Sequence, residues 1–245
     1  MERVFTKLIK IEILAFLCFF QLSTSFLAQE NHHKNDVFVD QNGVMRWGDH
    51  EKEVYGFGVN YTVPFAHAHR QAKKMGIDPK KAIDQDVYHF SRLGFDLYRV
   101  HVWDTQISDV KGNLLNNEYL ETFDYLLHKL KAHNINYVIT PIAFWGDGWP
   151  ERDTETPGFS HFYGKDQCLE NEEAIKAQEN YLFQFLNHKN PYTGLTYKDD
   201  PSLIAFEVSN EPHHRGTPTE VRTFVSRMVN SMRKTGTKKP IFYNM

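Results

Sequence analysis

An amide and a carboxylate, Asn210 and Glu211, stand at the end of the apolar run Leu203-Ile204-Ala205-Phe206-Glu207-Val208-Ser209, just ahead of Pro212. A polar pair at the mouth of an apolar strand is costly to desolvate, which argues against a role in stability alone. In a parallel α/β barrel the C-terminal ends of the strands are where chemistry is placed. The plainer alternative is an Asn-Glu turn closing a strand before a helix. Alternation along the run puts Leu203, Ala205, Glu207, Ser209 and Glu211 on one side and Ile204, Phe206 and Val208 on the other. The bulky set is expected to face helices and the smaller, polar set the barrel interior, with Glu207 one layer below Glu211. In Phe95 to Trp103 the same period aligns Leu97, Arg99, His101 and Trp103. Arg99 then sits among those acids, as a counter-charge, as the holder of a catalytic carboxylate, or as both.

The elements that must position these residues alternate strand and helix, with no repeat and no low-complexity linker. Asp40-Gln41-Asn42-Gly43 joins Val37–Val39 to Val44–Trp47 as a hairpin. Strands are expected over Tyr55–Tyr61, Phe95–Trp103, Asn136–Trp145, Leu203–Ser209 and, last, Pro240–Asn244. Asp78 as cap, Pro79 at the first position and Gly94 beyond the end bound a helix over Lys80–Leu93. Leu120, Phe123, Leu127 and Leu130 recur at helical spacing. After a long loop, Glu172–His188 presents Ile175, Leu182, Phe185 and Leu186. Thr217-Pro218-Thr219-Glu220 reads as a capping box opening a helix with Val221, Phe224, Val225, Met228 and Met232 inward, stopping at Gly236. Apolar strands between helices imply a parallel sheet covered by helices. A doubly wound sheet has the same alternation, but Asn60-Tyr61-Thr62-Val63-Pro64 replaces a glycine-rich phosphate loop after the first inner strand, so its nucleotide-binding version is unsupported. The expected fold is α/β, the first four to five units of a (β/α)8 TIM barrel.

Arg3, Lys7 and Lys10 precede the apolar run Ile11–Phe20, with Ser23, Ser25 and Ala28 after it. This is the order of a secretory signal peptide, shorter than the roughly 20 apolar residues of a membrane span. Residues 1–28 are read as a leader and 29–245 as the barrel part, exported to the periplasm or the medium, with no membrane association after cleavage. A formal net charge of −3 gives no basic field for nucleic acid. Once Cys18 leaves with the leader, Cys168 alone remains, which excludes an intrachain disulfide and leaves Cys168 as a loop thiol.

The stretch Asn190-Pro191-Tyr192-Thr193-Gly194-Leu195-Thr196-Tyr197-Lys198-Asp199-Asp200-Pro201, followed by Phe206-Glu207-Val208-Ser209-Asn210-Glu211-Pro212, resembles the fourth-strand region of family 5 glycoside hydrolases, above all their endo-β-1,4-mannanases. Arg99 and Phe57-Gly58-Val59-Asn60 are similar too, and the resemblance covers Val37 to Met245. It implies a retaining β-glycosidase on β-1,4-linked polysaccharide or oligosaccharide, without cofactor or metal, in which Glu211 is the general acid/base, Asn210 bonds a sugar hydroxyl and Arg99 holds the site. A retaining enzyme needs two carboxyl groups about 5–5.5 Å apart, and in this family the nucleophile is a Glu on the seventh strand. After Glu211 the only acidic residue is Glu220, in the capping box and outside the barrel. Residues 29–245 also fall short of the roughly 250 typical of the barrel. The chain is therefore expected to be the front half of an enzyme, inactive as given. Phe206 and Ser209 stand where the family often has Trp and Met, so β-glucan, β-mannosides and β-galactosides stay open beside mannan.

Trp103, Trp145 and Trp149 fall at or beyond strand ends, where flat rings stack on sugars or pack in the core. His101 and Asn60 are expected to line the cleft with them. His67-Ala68-His69 has the His-x-His spacing of metal-dependent barrel hydrolases, a second reaction class that would need further ligands on later strand ends. His67, His69, His213 and His214 are otherwise loop residues near the cleft. A third class is a carbohydrate-binding relic that keeps the cleft without the nucleophile.

Overall fold

The computed structural model describes residues 36–48, 52–62, 68–144 and 158–244. The leader expected over 1–28 lies outside them. A two-stranded antiparallel hairpin, β1 (Val37–Val39) and β2 (Met45–Trp47), pairs Val37 with Trp47. Asp40 Oδ1 accepts from the backbone N–H of Asn42 and Val44, and Gly43 supplies the positive φ of 79° that the turn needs.

The main chain order is then β3 (Gly58–Asn60), α1 (His69–Lys74), α2 (Pro79–Arg92), β4 (Leu97–His101), α3 (Asp104–Ile107), α4 (Glu118–Ala132), β5 (Asn136–Thr140), α5 (Phe159–Glu170), α6 (Glu172–Asn187), a 3-10 turn at Tyr197–Asp199, β6 (Leu203–Glu207), α7 (Pro218–Arg233) and β7 (Ile241–Phe242). The strands form one parallel sheet in the order β3-β4-β5-β6-β7. A doubly wound sheet reverses its strand order at a switch point. Here the order follows the sequence without reversal, as in the wall of a barrel.

Local chemistry explains the helix ends. Asp78 Oδ1 accepts from Lys80 N–H ahead of Pro79 in α2, and Gly94 follows with φ 77°. Asn117 and Asn171 cap α4 and α6 in the same way. Thr217 and Glu220 form the reciprocal capping box of α7. The outer core joins Tyr98, Val100, Tyr137, Ile139, Leu203, Phe206 and Val208 of the strands and their extensions to Leu120, Phe123, Leu127, Leu182, Phe185, Phe224, Met228 and Met232 of the helices. Val221 and Val225 are only half-buried, at the edge of the α7 stripe.

Three expectations change. Leu203 packs outward with the helices, while Ile204 and Ala205 both belong to a smaller inner cluster with Val37 and Val138. The cause is a register shift: Tyr137 pairs with Leu203 but Val138 with Ala205, so Ile204 is an extra residue on β6. Alternation resumes with Phe206 outward and Glu207 inward. The expected long loop before α6 contains α5, whose helical run is interrupted at Gly164 (φ 71°, ψ 164°). Cys168 is correspondingly not a loop thiol but a fully buried residue of α5, and burial pushes its pKa well up. Met45, Trp47 and Val54 pack on the inner cluster, so the hairpin side of the chain covers the starts of the strands.

Candidate active site

The inner faces of β3 to β7 and the residues just beyond them bound a cleft of about 880 Å³, lined by Asn60, Arg99, His101, Glu207, Asn210 and Glu211, with Tyr243 and Asn244 beyond β7. Asn60 pairs with Arg99 across β3 and β4. Arg99 Nη2 lies 2.5 Å from Glu207 Oε2, and its Nε donates to the same oxygen over 3.1 Å. Glu207 is 1% exposed and Arg99 27%. Thr140 Oγ1, from the end of β5, donates a further hydrogen bond to Glu207. A buried carboxylate is tolerated only when paired and hydrogen-bonded in this way. Arg99 Nη2 also reaches Asn210 Oδ1 at 3.4 Å, so one guanidinium links the buried acid to the amide at the cleft mouth.

Beyond Glu207 the chain stays in register. Val208 N–H donates to Phe242 O, Ser209 bridges Ile142, and Asn210 N–H donates to Ile142 O at 2.9 Å. Glu211 follows with φ 41° and His213 with φ 53°, a conformation that L residues adopt only at a cost. Pro212 between them is buried, whereas Glu211 is exposed to solvent. The strained backbone holds the carboxylate over the cleft instead of continuing the strand. Backbone strain at a polar residue facing a cleft is a recurring mark of functional sites.

Several expected site residues lie elsewhere. Trp103 is 3% exposed within the outer core. Strand β4 ends at His101, and Trp103 caps the short helix α3, so its ring leaves the barrel face and packs against protein instead of offering a surface to sugar. His69 is buried in α1, its ring against Tyr119 at 4.7 Å and its Nε2 3.4 Å from Thr122 Oγ1. It is held in the helix layer, away from the cleft, which removes it from a metal pair. Trp145, Trp149 and His67 lie outside the described residues. His214 contacts Tyr243 through Nε2, and burial lowers its pKa.

Thr140, Tyr61 and Tyr243 were not among the sequence candidates. Parity could have found Thr140, two residues after the inward Val138. Tyr61 lines the cleft, but its hydroxyl donates to Asp86 at 3.1 Å, and burial with that carboxylate pushes its pKa up to about 12. Asp104, after β4, is fully buried and accepts from Ala143 N–H at 2.9 Å. Burial raises its pKa to about 6.

No family model matches the chain. A glycoside hydrolase family 5 mannosidase from Rhizomucor miehei superposes with a TM-score of 0.61 at 18% identity, over 85% of this chain and 55% of that one. An endo-β-1,4-mannanase from Thermotoga petrophila superposes with a TM-score of 0.57 at 18% identity, over 78% and 42%. This chain has the fold of part of an α/β barrel such as those two enzymes form. Its sequence is mannanase-like in the matched part. A putative mannan endo-1,4-β-mannosidase 5 of Oryza sativa subsp. japonica is 24% identical over 113 residues, 42% of this chain and 22% of that protein. Mannan endo-1,4-β-mannosidase 1 of Arabidopsis thaliana is 26% identical over 98 residues, 40% and 23%. The match thus spans under a quarter of the plant relatives and about half of the solved barrels.

Proposed function

We propose that this partial barrel is the acid/base half of an exported retaining β-glycoside hydrolase acting on mannan or a related β-1,4-linked polysaccharide. Glu211 protonates the glycosidic oxygen, Asn210 bonds a hydroxyl of the sugar beside the reacting carbon, and Arg99 fixes Asn210 while neutralising Glu207. The observation that carries this reading is the Arg99 link between buried Glu207 and Asn210, next to an exposed carboxylate on strained backbone. Glu207 is committed to Arg99 and Thr140, so it does not serve as the second carboxylate. The nucleophile then comes from barrel strands beyond the five described. Export rests on the charge and hydropathy order of residues 1–28. Support for a sugar ligand comes from the mannanase-like sequence and from a family 5 mannosidase of the same fold that was solved with mannosyl-fructose.

One observation favours a second reading, a carbohydrate-binding relic. Of the acids that line the cleft among the described residues, Glu207 and Glu211, the first is held by Arg99 and Thr140, which leaves no second free carboxylate there. Reading the coding sequence past the Met245 codon separates the two. A frame that continues and places a Glu at the end of a later barrel strand supports the hydrolase, and a stop codon there favours the relic.

A further inference from the structure

The peptide group between Ile142 and Ala143 is held from both ends. Its carbonyl accepts the backbone N–H of Asn210 at 2.9 Å, and its N–H donates to Asp104 Oδ1 at 2.9 Å. Asn210 is thus fixed twice, through its backbone by this peptide and through its side chain by Arg99 at 3.4 Å. Ile142, Ala143 and Asp104 are all buried, so these bonds act in a dry setting where each one polarises the next. Beyond Ala143 the chain leaves the sheet direction, with Phe144 at φ 55°. A backbone turning there needs something to hold the last extended peptide in line with Ser209 and Asn210.

Asp104 is a rigid post for that purpose. Its own N–H donates to Val102 O, and Val102 N–H donates to Thr140 O, which ties the post to the end of β5. Its carbonyl accepts from Ser108 Oγ at 2.7 Å, and every residue of the short helix α3 is buried. Gly158 packs so closely on this turn that a Cβ there would lie 2.6 Å from Thr105 Cα. A carboxyl in this place costs stability, because burial raises its pKa to about 6, and a neutral acceptor could hold one N–H without that cost. An ionised acceptor makes the stronger bond. We propose that Asp104 is a positioning residue for Asn210, acting through the Ile142–Ala143 peptide to set the amide that meets the sugar. The proposal rests on the glycan reading of the cleft and adds to it a residue that does not line the cleft.

The test compares the full chain with Asp104→Asn and Asp104→Leu at pH 7.5, by NMR of the backbone amides and by titration with mannohexaose. Asp104→Asn keeps an acceptor and loses the charge. In it the amide protons of Ala143 and Asn210 should both move upfield, while that of Val208, bonded to Phe242 O, stays in place. Asp104→Leu loses the acceptor. In it exchange of the Asn210 amide should speed up about tenfold or more and mannohexaose binding should weaken about fivefold, and Asp104→Asn should recover most of that loss. An Asn210 amide unmoved in Asp104→Asn although Ala143 shifts overturns the proposal and leaves the glycan reading standing, as does parental affinity in Asp104→Leu. Should Asp104→Leu not fold, the amide shifts in Asp104→Asn decide alone. If mannohexaose moves no Asn210 side-chain signal in the parent chain, the glycan reading falls and the proposal with it.

Discussion

Arg99 bridges two carbonyl-bearing side chains at different depths, with one nitrogen 2.5 Å from Glu207 Oε2 and 3.4 Å from Asn210 Oδ1. The buried acid therefore anchors the cation that orients the amide at the cleft mouth. Arg99→Met leaves Glu207 buried without its counter-charge and is expected to cost about 3 kcal/mol, the low end for a broken buried pair because Arg99 keeps some exposure. Urea unfolding measures this. The double variant Arg99→Met/Glu207→Met should recover most of the loss, and a double variant no better than the single would show that the pair is not the source.

Glu211 sits in a backbone conformation that favours glycine. Glu211→Gly is expected to leave the fold intact and to raise its stability by about 1 kcal/mol through relief of strain. In a form of the protein that hydrolyses mannan, the same change should remove activity by about 10²-fold or more. A loss of stability in thermal unfolding would mean that the positive φ is not strained.

Lys239 is buried, and burial lowers its pKa to about 8 against the attraction of Asp36, Asp200 and Asp199. The folded state releases this proton more readily than the unfolded chain does. Stability from this group is therefore full above about 10.5 and falls as pH drops through 8. Lys239→Met is expected to add up to about 3 kcal/mol at pH 7 and to flatten the rise in stability between pH 8 and 10, which chemical unfolding across that range reads directly.

Asp104 has the opposite sign. Its folded pKa of about 6 lies above the ordinary carboxylate value because of burial, so stability from this group is full below about 4 and lost as pH rises through 6. Asp104→Asn keeps an acceptor for Ala143 N–H and removes the charge. It should add up to about 3 kcal/mol at pH 7.5 and make little difference at pH 4. Equal effects at the two pH values would sink this account.

What the sequence disclosed was whatever local chemistry or strict alternation encodes. Asp78, Pro79 and Gly94 bound α2 within one residue of the expected limits, and Thr217 with Glu220 opens α7 as read. Arg99 and Glu207 meet because both lie at inward positions, on β4 and β6 with only β5 between them, and a period of two reveals those positions. The bulge at Ile204 was hidden, since it is defined by pairing with Val138 rather than by any residue type on β6. Trp103 was misplaced because the strand ends two residues earlier and turns into α3. Helix α5 escaped notice because it is broken at Gly164, and its buried residues Phe159, Ser160, Cys168 and Leu169 do not form one continuous stripe.

The inner cluster ties Val37 of the hairpin to Ala205 of β6, nearly the whole described chain apart. A ribosome adding roughly 5–20 residues per second takes on the order of 10–30 s to travel that distance. For more than half of that interval the hairpin lacks Val138, and to its end it lacks Ala205, so Val37 and Trp47 present an apolar face while the strands that will receive it are still being made. Of the described elements the hairpin is the first made, yet it is secured only after β6, and slowing elongation near the β5 and β6 codons would lengthen its exposure to proteases and to other nascent chains.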